Sequence, residues 1–307
     1  MTRQATVRQA IPSERHTWRG GGARRPKVSL CIPAYQAGEF LRDTLDSVLA
    51  QDFPDLEILV VDNHSTDETP AILDSITDDR VRVVRNESTL SAAENHNLAV
   101  ELSRGEFVKV ISADDTLKHN CVAAQAAVLQ SNPDVTVVAS RTDFIDDSGA
   151  LLFKARGLRG LLGHKTGEQV IRQIVRSAKN PVGAPVSVMF RRSDFDRCGG
   201  FSGPHVFTLD MDLWARLLGL GHFYGMPETL AAYRIRGGSL TALTSARSQL
   251  VQQDTFTRKL IDDPRWEIRY MDKLLGKLNR YDVLFKRVML FKLSSVRASR
   301  RSRNPVR

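Results

Sequence analysis

Asp114 and Asp115 stand side by side at the end of the apolar run Glu106-Phe-Val-Lys-Val-Ile-Ser112. Adjacent carboxylates repel, and a strand end in an open α/β sheet opens into a crevice rather than into bulk solvent. A hard divalent cation, Mg²⁺ or Mn²⁺, would relieve that repulsion, since such ions take carboxylate oxygens and bridge substrate phosphates. The competing reading is a helix N-cap, with the acid ahead of Thr116-Leu117 starting the next helix. Taken alone, the pair favours the cap.

Two other strand ends carry polar, ligand-type residues. Val28–Pro33 exits into Ala34-Tyr35-Gln36, and Leu56–Asp62 exits into Asn63-His64-Ser65. Ligands in open α/β sheets bind at the carboxyl ends of strands, so three such ends together shift the balance towards a nucleotide site. An acid or amide at the second end can hold a base or ribose, and the third end can hold a metal on a diphosphate. Neither G-x-G-x-x-G nor G-x-x-x-x-G-K-[ST] occurs, which removes support for a dinucleotide dehydrogenase or a P-loop ATPase.

The elements that must position these ends alternate. Strands are expected at Val28–Pro33, Leu56–Asp62, Val81–Arg85, Glu106–Ser112 and Val135–Ala139. Helices fall between them, over 38–51, from Thr66, around Ser91–Leu102 and over Val122–Gln130. Ile58-Leu-Val-Val61 is apolar throughout, as in a parallel strand buried on both faces. The pattern implies a doubly wound parallel sheet. The second half is less regular: a turn at Asp146–Gly149, a helix around Gly167–Ser177, a strand at Val186–Arg191, a loop at Cys198–Phe201, a helix from Asp210 to Leu218 and a strand exit at Tyr233–Ser239. Residues 245–296 read as helices with basic stripes.

The 307 residues carry a net charge of +9, but the excess sits in the tails. Residues 1–27 hold seven Lys/Arg against one Glu, and residues 281–307 hold eight against one Asp. Residues 28–280 hold 29 Lys/Arg against 33 Asp/Glu, so the body is mildly acidic and no nucleic-acid partner is expected. Three separated cysteines indicate neither a disulfide framework nor a zinc site and fit a cytoplasmic protein. No apolar run approaches the ~20 residues of a membrane span.

In order and spacing, the chain resembles the family 2 glycosyltransferases of the GT-A fold. The resemblance rests on Ser29-Leu-Cys-Ile-Pro33-Ala-Tyr35, Glu57-Ile-Leu-Val-Val-Asp62-Asn63-His-Ser65-Thr66-Asp67-Glu-Thr69, Ser91…Asn95 and Gly105…Asp114-Asp115. It continues through Asn180-Pro-Val-Gly183…Arg191, Cys198-Gly-Gly-Phe201, Asp210-Met-Asp212-Leu-Trp214-Ala-Arg216 and Tyr233-Arg234-Ile-Arg236-Gly-Gly-Ser239. It covers about residues 27–239. It implies an α/β, Rossmann-like doubly wound, mostly parallel sheet with an acceptor-side subdomain and C-terminal helices. The divisions would be a basic disordered leader (1–27), a nucleotide-sugar-binding half (28–140), an acceptor-binding half (141–240) and a helical basic extension (241–307).

By the same resemblance, a UDP-, GDP- or dTDP-linked sugar is transferred with inversion to a polysaccharide or lipid-linked acceptor. Pro33, Tyr35, Asp62, Asn63, Ser91, Asn95, Ser112, Arg234 and Arg236 would bind the donor, Asp114 the metal (Mn²⁺ or Mg²⁺), and Asp210 would be the base. Asp115 and Asp212 would support them from behind. Asp210 and Asp212 project ~200° apart on a helix, so only one can face the cleft. The resemblance assigns Asp210. Four positions depart from the family pattern: Gln36 for Asn, Glu94 for Arg, Ser112 for the first Asp of D-x-D, and Arg236 for His. A guanidinium cannot ligate a metal but can hold phosphate, so Arg236 is expected to supply part of the missing charge.

Asp262 stands where a processive synthase would carry the Gln of Q-x-x-R-W, so a single addition is expected. From Leu274 onward apolar and basic residues mix, which suits either a docked helix or an anionic membrane surface at the inner face of the plasma membrane. Two rivals are a sugar-nucleotide nucleotidyltransferase, which would want a basic Gly-rich loop after strand one, and a catalytically silent nucleotide-sugar-binding module tethered by its basic tails.

Overall fold

The computed structural model describes residues 25–280. The first half alternates β1 (Val28–Ala34), α1 (Leu41–Leu49), β2 (Leu56–Asp62), α2 (Thr69–Asp74), β3 (Val81–Arg85), α3 (Ala92–Leu102), β4 (Phe107–Val110), β5 (Thr116–Leu117) and α4 (Cys121–Ser131). There follow β6 (Val135–Ile145), β7 (Leu151–Arg156), β8 (Gly163–Lys165), α5 (Gly167–Ser177), β9 (Val188–Arg191), α6 (Arg192–Cys198), α7 (Leu209–Leu218), β10 (His222–Arg234), α8 (Leu240–Leu243) and α9 (Ala246–Asp262). A last helix, α10, covers residues 270–280. The expected basic leader and the tail from residue 281 lie outside the described residues.

One sheet runs in the order β3-β2-β1-β4-β9-β6-β10-β5, with β7 beside β6 and β8 beside β10. β1 pairs in parallel with β2 and β4, β2 with β3, and β6 with β10. β9 is antiparallel to both β4 and β6. Strands β1–β4, β6 and β10 therefore point the same way and share one rim of carboxyl ends. Because β9 runs backwards, the segment entering it lies on that rim too. Along β2 the apolar side chains alternate between two cores: Leu59 and Val61 join the one under α3, α5 and α7, while Ile58 and Val60 join the one under α1 and α4. That double burial is why the strand carries no polar face.

Four differences between the structure and the sequence expectation have a clear local cause. β6 extends to Ile145, six residues beyond the expected end at Ala139. Its polar second half is held by β10 on one side and β7 on the other. β10 is a 13-residue strand of which only the exit was expected. Pro227 and Glu228 interrupt its pattern, and a register shift between Met226 and Thr229 absorbs them. α6 was unexpected because only Asp194 and Phe195 of its seven residues are buried. Finally, Thr116–Leu117 is a strand paired with β10, not a helix start. The following helix begins at Cys121, so Asp115 is not its cap.

α3 opens with a capping box in which the Ser91 hydroxyl accepts from Glu94 N, while Glu94 returns to Ser91 N. That gives Glu94 and Ser91 a local role at the head of α3. One turn on, the His96 ring packs edge-on against Phe201, 5.1 Å between centroids, with Nδ1 donating to Ala92 O at 2.7 Å. Burial of the ring pushes its pKa down from 6.5 to about 4, the Ala92 bond opposing. A depressed histidine contributes stability in full above pH 6.5 and loses it as pH falls towards 4. The His96→Phe variant should therefore lose part of the wild-type stability slope between those values, on the order of 1–3 kcal/mol in total, read from urea midpoints at several pH values.

Candidate active site at the strand-end rim

On the diphosphate side, Arg236 Nε donates to Asp114 Oδ2 at 2.6 Å. Arg234, two residues earlier, is a buried hub with 2% exposure. Its Nε donates to Asp114 O (2.9 Å), its Nη1 to Asp146 O (3.1 Å) and Asp147 O (2.9 Å), and its Nη2 to Asp43 Oδ2 (2.9 Å). Its backbone N–H donates to Asp115 Oδ1 at 2.9 Å. The ring of Phe40 lies under both guanidinium groups, 4.7 Å from Arg234 and 5.4 Å from Arg236. Arg234 thus joins α1, the Asp114 loop and the turn after β6, with its guanidinium engaged by three backbone carbonyls and the Asp43 carboxylate.

Asp115 is fully buried, and its backbone carbonyl accepts from Thr44 Oγ1 at 2.9 Å. Burial, and after it the Asp114 carboxylate, push the Asp115 carboxyl well above its usual pKa against the opposing pull of Arg234 and Arg236. Its Oδ2 makes no hydrogen bond among the described residues. Ser112 sits half-buried in the same turn, its carbonyl accepting from Asp115 N at 3.1 Å.

On the nucleoside side, Asp62 Oδ1 accepts from Ser65 N at 3.0 Å, while Oδ2 is buried without a hydrogen bond and lies 3.4 Å from Arg85 Nε in an ion pair. Asn63 faces inward. Its Oδ1 accepts from Asn86 Nδ2 and Leu90 N, both at 2.8 Å, and its Nδ2 donates to Leu90 O at 2.9 Å. Asn86 Nδ2 also reaches Asn95 Oδ1 at 3.0 Å. Asn63 and Asn95 therefore brace the loop between β3 and α3. Gln36 has φ 48, which costs a side-chain-bearing residue ~1–2 kcal/mol. Offsetting this, its Oε1 accepts from Thr66 N and Asp67 N, and its backbone N–H donates to Ser65 Oγ. The longer side chain at this departure position staples the first two strand ends together. Pro33 is buried as the penultimate residue of β1, and Tyr35 stands on the rim with 51% exposure.

On the acceptor side, Asp210 lies in the first turn of α7. Asn180 Nδ2 donates to its Oδ2 and Met211 N to its Oδ1, both at 2.8 Å. Asn180 also closes the turn to Gly183, and Trp214 Nε1 donates to Gly183 O at 3.2 Å, so the buried indole fixes the loop that fixes the acid. That loop leads into β9 and so belongs to the rim. Asp212 points elsewhere: Lys259 Nζ (2.6 Å) and Arg216 Nε (2.8 Å) bind its carboxylate. Burial would raise its pKa, but these two cations outweigh burial and hold it low. Beside Asp212 a cavity of about 140 Å³ opens between Ser202, His205, Thr208 and Lys259.

The model of Glycosyl transferase family 2 matches residues 29–199, more than half the chain. The chain belongs to that family. It is a glycosyltransferase. Over 222 residues it is 29% identical to the putative teichuronic acid biosynthesis glycosyltransferase TuaG of Bacillus subtilis, covering 71% of this chain and 82% of that one. In fold it is similar to Staphylococcus aureus TarS, solved with UDP-GlcNAc (TM-score 0.63, 18% identity, 83% of this chain and 72% of that one). It is also similar to the mannosyltransferase PcManGT of Pyrobaculum calidifontis, solved with GDP-Man and Mn²⁺ (TM-score 0.60, 19% identity, 95% and 80%). The sheet is thus of the GT-A type.

In this glycosyltransferase no cluster of three or more His, Cys, Asp or Glu side chains forms a metal cage among the described residues. Asp114 stands on the rim with Asp115 Oδ2 orphaned behind it, and one or two carboxylates plus substrate phosphates is the way Mg²⁺ and its relatives are held in phosphate sites. By donor chemistry, Asp114 with Asp115 behind it would fit a divalent cation, although Arg236 occupies one oxygen of Asp114 here. Asn180, Phe40 and Asp43 were not singled out from the sequence. Asn180 at the head of Asn-Pro-Val-Gly carried a turn signal, but Phe40 and Asp43 reach the site only through the packing of α1.

Proposed function

We propose that this glycosyltransferase moves a sugar, with inversion, from a nucleoside diphosphate to a hydroxyl of a polysaccharide or lipid-linked acceptor. The carrying observation is that Asp62, Asp114 and Asp210 come to one rim from three different elements, each held by its own partners. Asp62 ends β2 at the nucleoside side, and Tyr35, one residue beyond the paired end of β1, offers an exposed ring there for a base. Arg236 turns from Asp114 to the diphosphate, where its guanidinium can bind two oxygens at once. A divalent cation on Asp114 would stabilise the charge of the departing diphosphate. Asp210, oriented by Asn180 and Met211 N, takes the proton from the acceptor hydroxyl as it attacks. The two rival readings, a binding module and a nucleotidyltransferase, would not need a base opposite the leaving group. The three free cysteines suit the reducing cytoplasm, where we place the enzyme.

The experiment is release of nucleoside diphosphate from a panel of nucleotide sugars with and without Mn²⁺. Wild type should release it from at least one donor in a Mn²⁺-dependent manner, and Asp114→Ala should lower the rate by ~10²-fold or more. Equal rates in the variant would remove Asp114 from the reaction.

A further inference from the structure

α10 is docked the wrong way round for an ordinary surface helix. Its inward face is polar and small. Asp272, with no exposed surface, receives Arg172 Nε (2.7 Å) and Arg176 Nε (3.0 Å) and Nη2 (2.6 Å) from α5. One turn on, Gly276 lies so close to α5 that a Cβ there would stand 2.3 Å from Val175 O. Asn279 Nδ2 then donates to Arg176 O at 2.9 Å, and Arg280 Nη1 pairs with Asp254 of α9 at 2.6 Å. Its outward face carries Tyr270, Met271, Leu274 and Leu278, exposed by 77%, 54%, 36% and 66%.

At ~100° per residue, those four side chains fill an arc of ~100°, opposite Asp272, Gly276 and Asn279. A surface helix normally buries its apolar stripe and shows its polar one. Here the Asp272 clamp and the Gly276 approach enforce the inversion, because rotating α10 would pull a carboxylate off two arginines and drive a side chain into the α5 backbone. Along one flank of the ridge lie Lys273 and Lys277, within ~60° of its edge, and Arg269 immediately precedes the helix. The acid of this helix, Asp272, is inside and neutralised. The chain then continues for 27 residues with eight Lys/Arg against one Asp.

We infer that the outward ridge of α10 is a seat for an anionic lipid surface, with Tyr270, Met271, Leu274 and Leu278 entering the headgroup boundary and the basic flank meeting lipid charge. The charge pattern selects this occupant. A second copy would set two basic flanks against each other, whereas each Lys or Arg near an anionic surface is drawn to it. No helix among the described residues is long and apolar enough to span a bilayer, which suits a helix lying in the surface plane. The assignment rests on α10 and its docking and does not depend on which residues bind the donor.

The test is flotation of the full chain with phosphatidylcholine vesicles, with and without phosphatidylglycerol, at low and raised salt. Wild type should float with the anionic vesicles only, and less at raised salt. The Met271→Glu/Leu278→Glu variant should lose at least ~10-fold in partitioning, since two apolar side chains that would enter the headgroup boundary become carboxylates repelled by anionic lipid. Donor hydrolysis and thermal midpoint in that variant should stay at the wild-type values, which separates failure of the seat from failure of the active site. Wild-type-like flotation of the variant would assign binding to residues 281–307 alone and overturn the inference. Absence of flotation in wild type would overturn it as well. So would wild-type dimers in sedimentation that Met271→Glu/Leu278→Glu dissociates, because the ridge would then belong to a second copy.

Discussion

The Asp210→Asn variant should lose ~10²–10⁴-fold in turnover while binding nucleotide sugar as tightly as wild type, because general-base assistance is made only at the reacting hydroxyl. The amide keeps the size of the carboxyl but cannot accept a proton. It also meets donors on both sides, Asn180 Nδ2 at one oxygen and Met211 N at the other, so a modest loss of stability of ~1 kcal/mol accompanies the substitution. Asp212→Asn is the control that separates chemistry from structure. It breaks ion pairs with Lys259 and Arg216, yet turnover should stay within a few-fold, since that carboxylate is turned to α9. Calorimetric donor binding and single-turnover rates check both variants. Turnover surviving in Asp210→Asn and vanishing in Asp212→Asn would exchange their roles.

The contrast between those two acids also shows how far the sequence could be read. Helical spacing places them on different faces, but nothing in a one-dimensional pattern says which face meets the rim. Asn180 decides it, and it sits thirty residues away in a loop whose position depends on β9 running backwards through the sheet. The parallel half was legible because its strands are apolar on both faces and its links are short. The second half of β6 and most of β10 were not, because their polar stretches are paired along both edges and so look like loops in the sequence. Asp115 illustrates the same gap at one residue. Its neighbours Thr116 and Leu117 have the composition of a helix start, but Leu230 O and the β10 edge capture that segment as a strand. A carboxyl expected to cap a helix in solvent is instead fully buried under the site. The amides Asn63 and Asn95 likewise match donor-contact positions by type, and turn inward because the loop after β3 has backbone groups that need partners.

Arg234 and Arg236 are the pair for which sequence gives one expectation and structure gives two. They leave the same strand two residues apart, and both were expected on the donor. Arg234→Met should destabilise the fold by ~3–5 kcal/mol, because the carbonyls of Asp114, Asp146 and Asp147 lose a buried donor together. That is a large share of the ~5–15 kcal/mol that holds a typical domain, and urea unfolding reads it directly. Arg236→Ala removes one partly exposed ion pair with Asp114, worth less than ~1 kcal/mol to the fold. Its cost should fall on donor binding instead, where a charge-assisted hydrogen bond to phosphate is worth ~1.5–3 kcal/mol, or roughly 10–100-fold in affinity. The two readouts therefore cross: a shifted urea midpoint for Arg234→Met, and a weakened donor with an unmoved midpoint for Arg236→Ala. Unchanged donor binding and turnover in Arg236→Ala would mean that the guanidinium only guards Asp114 and takes no part in holding the diphosphate.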